Sequence, residues 1–373
     1  MAEAFKERFN EERVRLMGRQ LAKVEGAFPE GEFCKRALEG LEELELKARS
    51  KHIQRVFGEV TPGDFAERCE LIVRALHPEE FADGFAPELA EGGLTSWSLM
   101  PLADYVGENG AGELGMSLEV LREVTKRFTA EFAIRPLMMS AQYKVIKVLR
   151  GWVEDPNHHV RRLVSEGTRS RLPWGLQLRS LVADPKPMLP LLTALRDDPS
   201  DYVRRSVANH LNDISKDHPE LVVSLASEWM KGASVQREKL LRHACRTLLK
   251  KGDPGVLRVF GYDPPSFSHV AFGVHSPVVQ VGEKLRWLLE VTVSSNQSLM
   301  IDHAIGYRKK NGETSWKVFK GTKWTLRAGE TKTWQGSHSF RPVTVRTLYP
   351  GPHGLRLLVN GEVVGERMFE VVE

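Results

Sequence analysis

The fold of this chain is decided by two stretches, DPNHHVRR at residues 155–162 and DPSDYVRR at residues 198–205. In each copy an Asp-Pro dipeptide is followed, five residues after the aspartate, by Val-Arg-Arg. The copies lie 43 residues apart. This period falls within the roughly 40 to 47 residues of a HEAT-type pair of helices, so the sequence predicts an α-helical repeat.

Helical periodicity assigns the charged residues of both copies to one face, because residues three and four apart share a face of a helix. In the first copy the charged face contains Arg162, Glu166 and Arg169. In the second copy the residues predicted to point outward are Arg205, Asn209, Asn212 and Asp213. Stacked copies would line up arginines for a phosphodiester backbone. Glu166 would repel phosphate there, which suggests another role for this carboxylate.

The composition is that of an ordinary soluble protein. The 373 residues can form two or three domains, with 41% hydrophobic and 27% charged residues. No apolar run approaches the ~20 residues of a membrane-spanning helix, and the amino terminus does not resemble a signal peptide. We therefore expect a cytoplasmic protein. The three cysteines are far apart, which argues against a disulfide framework, a zinc site or an iron-sulfur cluster.

The net charge of +4 conceals a segregation of charge along the chain. Residues 1–100 contain 14 Lys and Arg against 20 Asp and Glu, whereas residues 141–260 contain 21 against 13. Basic charge is thus concentrated where the repeat is clearest. This distribution is typical of a surface that binds a polyanion, although a solvated helical surface can show it as well.

Residues 1–260 have apolar positions at three- and four-residue spacing, broken by Gly, Pro and Asp-Pro turns. This pattern predicts an all-α solenoid of HEAT-like repeats. Ser117 is the expected N-cap of one helix, and Pro136 is expected to prevent that helix from continuing.

Residues 265–373 have a different periodicity. Apolar residues alternate with mostly polar ones, as at Leu285, Trp287 and Leu289, and Asn-Gly dipeptides at 311–312 and 360–361 are typical hairpin turns. About seven short strands in roughly 110 residues predict an all-β immunoglobulin-like sandwich.

The usual catalytic motifs are absent from the sequence. There is no Gly-x-Ser-x-Gly, no Walker loop, no Gly-x-Gly-x-x-Gly entering a helix and no His-Glu-x-x-His. His158 and His159 are adjacent and point in different directions, so we expect no metal and no cofactor. The remaining candidates are carboxylates and tryptophans at polar positions: Glu131, Glu166, Asp213, Trp97 and Trp174. Each carboxylate taken alone is more typical of an ion pair between repeats, and Trp97 is more typical of the core. Trp174 lies between Pro173 and Gly175 in an expected loop, where an exposed recognition role is as typical as a core position.

Three stretches resemble a known family. They are TAEFAIRP at 129–136, HVRRLVSEGTRSRLPW at 159–174 and YVRRSVANHLND at 202–213. They are similar to the DNA alkylation repair glycosylases built from HEAT-like repeats, in particular to the AlkC branch. The resemblance covers roughly residues 1–260, and the C-terminal sandwich resembles the immunoglobulin-like domain of some members.

This resemblance implies a monofunctional DNA glycosylase of base excision repair. The implied reaction is the hydrolytic excision of cationic N3-methylated bases, 3-methylcytosine and 3-methyladenine, from duplex DNA without base flipping. Carried over to matching positions, the implied catalytic residues are Glu131, Glu166, Asp213 and Trp174, with Trp174 against the deoxyribose. We expect DNA contacts from Arg135, Arg161, Arg162, Arg169, Arg171, Arg204, Arg205, Asn209 and Trp97.

The chemistry of such a lesion requires few groups. A base methylated at N3 is already cationic, so its glycosidic bond breaks without a general acid. Positive charge develops on the sugar, and a carboxylate near C1′ stabilises it and can orient the attacking water. The expected partner is duplex DNA containing alkylated bases, with no membrane, and the expected state is a monomer. The alternative is a non-catalytic HEAT-repeat scaffold that binds nucleic acid or protein.

The sandwich has basic residues near tryptophans. They are Lys309, Lys310, Lys317, Lys320 and Lys323, with Trp316 and Trp324 between them. One hypothesis is that these residues grip the duplex, and the other is that they form a solvated strand face with the tryptophans in the core.

Overall fold

A computed structural model of the chain describes residues 5–81, 87–344 and 347–373. The described residues form an α-helical part followed by a β part. The α-helices are α1 (Glu11–Val24), α2 (Glu30–Leu38), α3 (Leu46–Val60), α4 (Phe65–Ala75), α5 (Met100–Asn109), α6 (Leu114–Thr125), α7 (Ile134–Trp152), α8 (His158–Glu166), α9 (Arg179–Ala183), α10 (Leu189–Leu195), α11 (Asp201–Ile214), α12 (Pro219–Met230), α13 (Val235–Ala244), α14 (Arg246–Lys251) and α15 (Pro254–Val259). Short 3-10 helices lie at Phe5–Arg8, Leu41–Glu43, Ser96–Leu99 and Lys186–Met188.

The chain divides into two compact units. The helical unit contains the residues up to Asp217 together with Val235–Ala244. The mixed unit contains His218–Ser234 and Cys245–Glu373, and so includes α12, α14 and α15 as well as the strands. Among the helices described, none combines the length and the apolar character needed to cross a bilayer.

Both Asp-Pro turns begin a helix, as the repeat predicts. The Asp155 carboxylate accepts the backbone N–H of Asn157 at 2.8 Å, and the Asp198 carboxylate accepts that of Ser200 at 2.8 Å. Such bonds from an aspartate to the backbone two residues on stabilise a turn, after which α8 and α11 begin. The repeat is therefore structural in both copies.

The predicted boundary at Pro136 is wrong. Helix α6 ends at Thr125 and contains Ser117, whereas Pro136 is the third residue of α7. A proline in the first turn removes no helical hydrogen bond, because the first N–H groups of a helix have no partner in that helix. Helix α7 is interrupted later, at Ala141, whose φ of −146° and ψ of 46° are not helical.

The mixed unit contains eight described strands in two sheets. They are β1 (Phe267–Val274), β2 (Val278–Gln280), β3 (Lys284–Val293), β4 (Gln297–Arg308), β5 (Thr314–Leu326), β6 (Thr331–Ser339), β7 (Gly351–Val359) and β8 (Glu362–Val372). One sheet has the order β1-β3-β6 and the other β2-β8-β7-β4-β5. Trp287 of the first sheet and Ile301 and Leu355 of the second are fully buried in one core.

Both predicted Asn-Gly hairpins are present. The β4–β5 connection contains Gly312 with φ of 84°, and the β7–β8 connection contains Asn360 and Gly361 with φ of 49° and 84°. Positive φ at both central residues fits the right-handed twist of paired strands, which explains why Asn-Gly occurs at the second of these turns.

Two buried histidines lie in the core of this β part. His303 stacks on Phe319, with ring centroids 5.3 Å apart, and its Nε2 lies 3.3 Å from Nδ1 of His338. Burial lowers the pKa of His303 to about 4, and burial also lowers the pKa of the fully buried His353. The folded β part therefore holds these rings neutral.

We predict that acid destabilises the β part through His303. An unfolded histidine has a pKa near 6.5, so between pH 6.5 and 4 the unfolded chain binds a proton that the folded chain excludes. The free energy of unfolding should therefore decrease as the pH is lowered from 6.5 to 4, by up to about 3 kcal/mol. His303→Phe should flatten the dependence of the unfolding midpoint on pH, whereas substitution of the exposed His275 by Phe should not. An unchanged slope in His303→Phe would contradict this role.

Candidate functional site

Five residues of the predicted site meet in one buried group within the helical unit. We call them the acid–arginine cluster: Glu131, Arg162, Glu166, Arg169 and Asp213. Arg162 forms an ion pair with Glu131, and its Nη2 lies 3.6 Å from Oε1 of Glu166. Arg169 donates to Oε1 of Glu166 at 2.7 Å and to Oδ2 of Asp213 at 2.8 Å. Residues from three separate segments are thus joined by charge-assisted hydrogen bonds.

Helix packing explains how these residues meet. Glu166 is the last residue of α8 and Asp213 is near the end of α11, and these two helices pack against each other. Ser206 of α11 donates to Oε2 of Glu166 at 2.6 Å. Asp213 is only 2% exposed, although the helical pattern assigned it to the outward face. It turns inward because Arg169 of the preceding segment requires a counter-charge.

Glu131 differs from the other two acids of the cluster. Its Oε2 accepts the Thr129 hydroxyl at 2.9 Å and faces Arg162, but within the described ranges its Oε1 accepts no hydrogen bond. Both oxygens of Glu166 are occupied, and so are those of Asp213, whose Oδ1 accepts from Lys216. The Glu131 side chain is also the most exposed, at 12% against 8% and 2%. Glu131 is therefore the acid with an oxygen left for a ligand.

The arginines keep Glu166 ionised. Burial acts to raise the pKa of Glu166, but the positive charges of Arg162 and Arg169 outweigh it, so the pKa lies below its usual range. Burial likewise acts to lower the pKa of Arg162, and Glu131 outweighs it, so that pKa is raised. At neutral pH Glu166 is a carboxylate and Arg162 a cation.

Arg135 lies beneath the loop that carries Trp174. It is fully buried, and it donates to the carbonyl oxygens of Leu176 at 2.5 Å and Gly167 at 2.9 Å. Burial lowers the pKa of Arg135 to about 10. This burial does not fit the DNA contact expected of Arg135 and instead gives the residue a positioning role for the loop.

Trp174 is exposed and conformationally constrained. Its side chain is 65% exposed, its φ is 63°, in the left-handed region that residues other than glycine rarely adopt, and its carbonyl oxygen accepts from Lys47 Nζ. It lines a cavity of about 250 Å³ together with Phe132 and Asp104. An exposed indole held in a strained loop is suited to contacting a ligand.

Trp97 has different surroundings. It is half-buried, with ring centroids 6.0 Å from Phe9 and 5.4 Å from Phe128. It also lines a second cavity, of about 240 Å³, together with Thr129 and Tyr202. Trp97 is thus largely a packing residue that presents one edge to this cavity.

Asp104 is a candidate that the sequence pattern did not reveal. Burial, with a further contribution from Glu108, raises the pKa of this carboxyl to about 7, against the opposing effects of Ser50, Lys47 and Lys51. It therefore changes charge near neutral pH inside the cavity that Trp174 lines. No motif marks Asp104, because it belongs to none of the repeated stretches and only the packing of α3 against α5 buries it.

The first arginine of each tandem pair, Arg161 and Arg204, binds groups within the protein. Arg161 pairs with the buried Asp198 at 2.6 Å and donates to the carbonyl oxygen of Asp155 at 2.8 Å. Arg204 donates to the carbonyl oxygens of Asp198 and Pro199. The first arginine of each pair therefore stabilises an Asp-Pro turn through hydrogen bonds to its carbonyl oxygens.

The remaining predicted DNA contacts lie nearer the surface with partners of their own. Arg171 pairs with Asp217 at 2.7 Å and Arg205 with Asp201 at 2.8 Å, while Asn209 Oδ1 lies 2.9 Å from Nε2 of His243. DNA binding by these three residues stays a prediction.

We predict that Arg161→Gln lowers stability rather than DNA affinity. The substitution leaves the Asp198 carboxylate, whose side chain is only 3% exposed, without its charged partner. Loss of one partner from a buried pair costs about 3 kcal/mol or more, measurable as the unfolding free energy in urea. Arg205→Gln is the matched control, since this surface pair contributes less than about 1 kcal/mol. Equal effects of the two substitutions would contradict the assignment.

Comparisons with known proteins agree with this architecture. Residues 268–373 match the family model described as the C-terminal Ig-like domain of the uncharacterised protein YhaZ. The chain is 37% identical to the uncharacterized protein YhaZ of Bacillus subtilis (strain 168), covering 98% of this chain and 99% of that protein. It is similar, with 35% identity and a TM-score of 0.79 over 100% of both chains, to Pseudomonas fluorescens alkylpurine DNA glycosylase AlkC bound to DNA containing an abasic site analog.

Proposed function

We propose that this chain, which belongs to the same protein family as AlkC and YhaZ, is a DNA glycosylase. Its proposed substrates are alkylated bases in duplex DNA. The observation that carries this proposal is the acid–arginine cluster. Its three carboxylates come from three separate stretches of the sequence, and they meet beside the segment that holds Trp174. A scaffold without catalytic function has no need to bury three acids around two arginines, since such a group gains little stability over an apolar core.

The proposed substrates are cationic N3-methylated bases, 3-methylcytosine and 3-methyladenine. Their positive charge weakens the glycosidic bond, so the reaction needs stabilisation of the developing sugar cation and a positioned water, but no general acid. Glu131 supplies both in this proposal, because its Oε1 has no hydrogen-bond donor among the described residues. Glu166 and Asp213 act through Arg162 and Arg169, which they hold in place.

Trp174 completes the proposed site. An indole face beside the deoxyribose attracts the sugar cation by roughly 0.5–2 kcal/mol and excludes bulk water. Its exposure leaves it accessible to a nucleotide that remains in the duplex, consistent with excision without base flipping. Arg135 and Lys47 hold the loop in position through the carbonyl oxygens of Leu176 and Trp174.

We also infer that the helical pairs are HEAT-like repeats. The support is the repeated contact at each turn. Arg122 of α6 binds the aspartate that precedes α8, and Arg161 of α8 binds the aspartate that precedes α11. A recurring ion pair between successive units is the behaviour expected of a repeat array.

We predict that Glu131→Gln abolishes base release but preserves DNA binding. The amide keeps the shape of the side chain and removes the charge that stabilises the sugar cation, so the single-turnover rate should fall on the order of 10²-fold or more. The assay is chromatographic detection of free base from a duplex with one defined methylated base. Glu59→Gln, which neutralises a carboxylate paired with arginines on the surface of α3, is the matched control and should retain the full rate.

Two outcomes would contradict the proposal in different ways. If Glu131→Gln retained full turnover, the assignment of the acid would be wrong while the activity stood. If the unaltered protein bound methylated duplex DNA and released no base, the non-catalytic scaffold would be the better description.

We propose further that the β part grips the duplex through lysines of β5. Lys317 lies over Phe319 and Lys323 over Tyr262, with distances of 5.4 and 5.7 Å to the ring centroids, so aromatic rings hold both ammonium groups in place. Lys317→Gln combined with Lys323→Gln should weaken binding to any duplex sequence, because phosphate contacts carry no sequence information. The control pair Lys231→Gln and Lys284→Gln removes the same charge from elsewhere in the mixed unit. Equal affinities of both variants in a fluorescence anisotropy titration would refute the gripping role.

A further inference from the structure

Helix α7 and the Trp174 loop each expose large apolar side chains. Met139 and Tyr143 of α7 are 62% and 78% exposed, and Trp174 and Leu176 of the loop are 65% and 56% exposed. The two segments are connected, since Arg135 of α7 donates to the carbonyl oxygen of Leu176 at 2.5 Å. Pro136, Trp174 and Leu176 also line the same cavity. Adjacent exposed side chains of this kind indicate a contact surface.

The same helix carries uncompensated positive charge. Helix α7 contains four basic residues and no acidic residue: Arg135, Lys144, Lys147 and Arg150. Lys144, Lys147 and Arg150 are exposed, and in the described ranges none of them forms an ion pair. This contrasts with the tandem arginines, whose charges are neutralised by aspartates or, at Arg162, by glutamates.

Tyr143, Lys147 and Arg150 share one face of the part of α7 that follows the interruption at Ala141. The regular part of α7 starts after Ala141, and in it Tyr143, Lys147 and Arg150 follow each other at four- and three-residue spacing. Such residues share one side of a helix, with Lys144 beside them. An exposed aromatic ring therefore stands among three cations.

We propose that this surface, formed by Met139, Tyr143, Lys144, Lys147 and Arg150 of α7 with Leu176 of the loop, is a docking surface for duplex DNA. Lys144, Lys147 and Arg150 contact phosphates, and Tyr143 packs against the sugar and base faces that a distorted duplex exposes. The inference rests on the proposed function, which places DNA at Trp174. An acidic protein surface would match the cations, but it would leave the exposed ring of Tyr143 without an apolar contact.

The lysines are tested by the salt dependence of binding. Each phosphate contact contributes about 0.9 to the slope of log K against log salt concentration, so Lys144→Gln combined with Lys147→Gln should lower the slope by about 1.8. The control, Lys23→Gln combined with Lys35→Gln, removes the same charge from exposed positions of α1 and α2 and should leave the slope unchanged. Circular dichroism melting of both variants checks that they are folded. An unaltered slope in the α7 variant, or an equal change in both, overturns the proposal and leaves a protein partner as the alternative.

Tyr143 is tested separately. Tyr143→Ser should weaken binding to a duplex containing an abasic site by at least about five-fold, because stacking contacts with nucleotides are lost, while Tyr143→Phe should bind normally. Substitution of another exposed apolar residue, Met116→Ser, should have no effect. If the slope falls as predicted but the unaltered protein releases no methylated base, the docking surface stands and the proposed function fails. If the unaltered protein releases base, but the lysine variant keeps its salt slope and Tyr143→Ser keeps its affinity, the docking surface is refuted and the proposed function stands.

Discussion

The helical unit depends on buried aspartates that bind arginines of an earlier helix. Asp155 accepts from Arg122 at 2.8 Å, and Asp198 accepts from Arg161 at 2.6 Å. Each aspartate also accepts a backbone N–H of its own turn. Each carboxylate thereby accepts a hydrogen bond from its own turn and joins that turn to another helix. Removing the arginine would leave the buried carboxylate without its counter-charge. The relative positions of α6, α8 and α11 follow from these bonds.

The candidate site uses the same pairing with one difference. In the structural turns Asp155 and Asp198 have both carboxylate oxygens engaged, whereas among the described residues Glu131 of the acid–arginine cluster is bonded only through Oε2. Glu131 is consequently left with an oxygen that no side chain of the described ranges satisfies. A carboxylate with such an oxygen can stabilise a cation formed on a sugar. The proposed function therefore depends on this one oxygen, in a network whose other carboxylate oxygens are occupied.

Much of this arrangement could be predicted from the sequence, and the exceptions have a common physical cause. Periodicity identifies helices and strands, the 43-residue repeat identifies both turns, and Asn360-Gly361 identifies a hairpin, because each is a local property. The partner of a buried charge is not local. The sequence could not show that Arg161 turns towards Asp198, that Asp213 turns inward to Arg169, or that the packing of α3 against α5 buries Asp104. The family resemblance supplied the acids, while only the structure distinguishes Glu131 among them.

In the proposed reaction the carboxylate of Glu131 stabilises positive charge on the sugar of a lesion whose base is already cationic. The most direct test compares two duplexes, one containing 3-methyladenine and the other its uncharged 3-deaza analogue, with release of the free base measured under single-turnover conditions. The account predicts release of the cationic base and no detectable release of the neutral one, because no general acid is available to assist a neutral leaving group. Release of both bases at similar rates would contradict it.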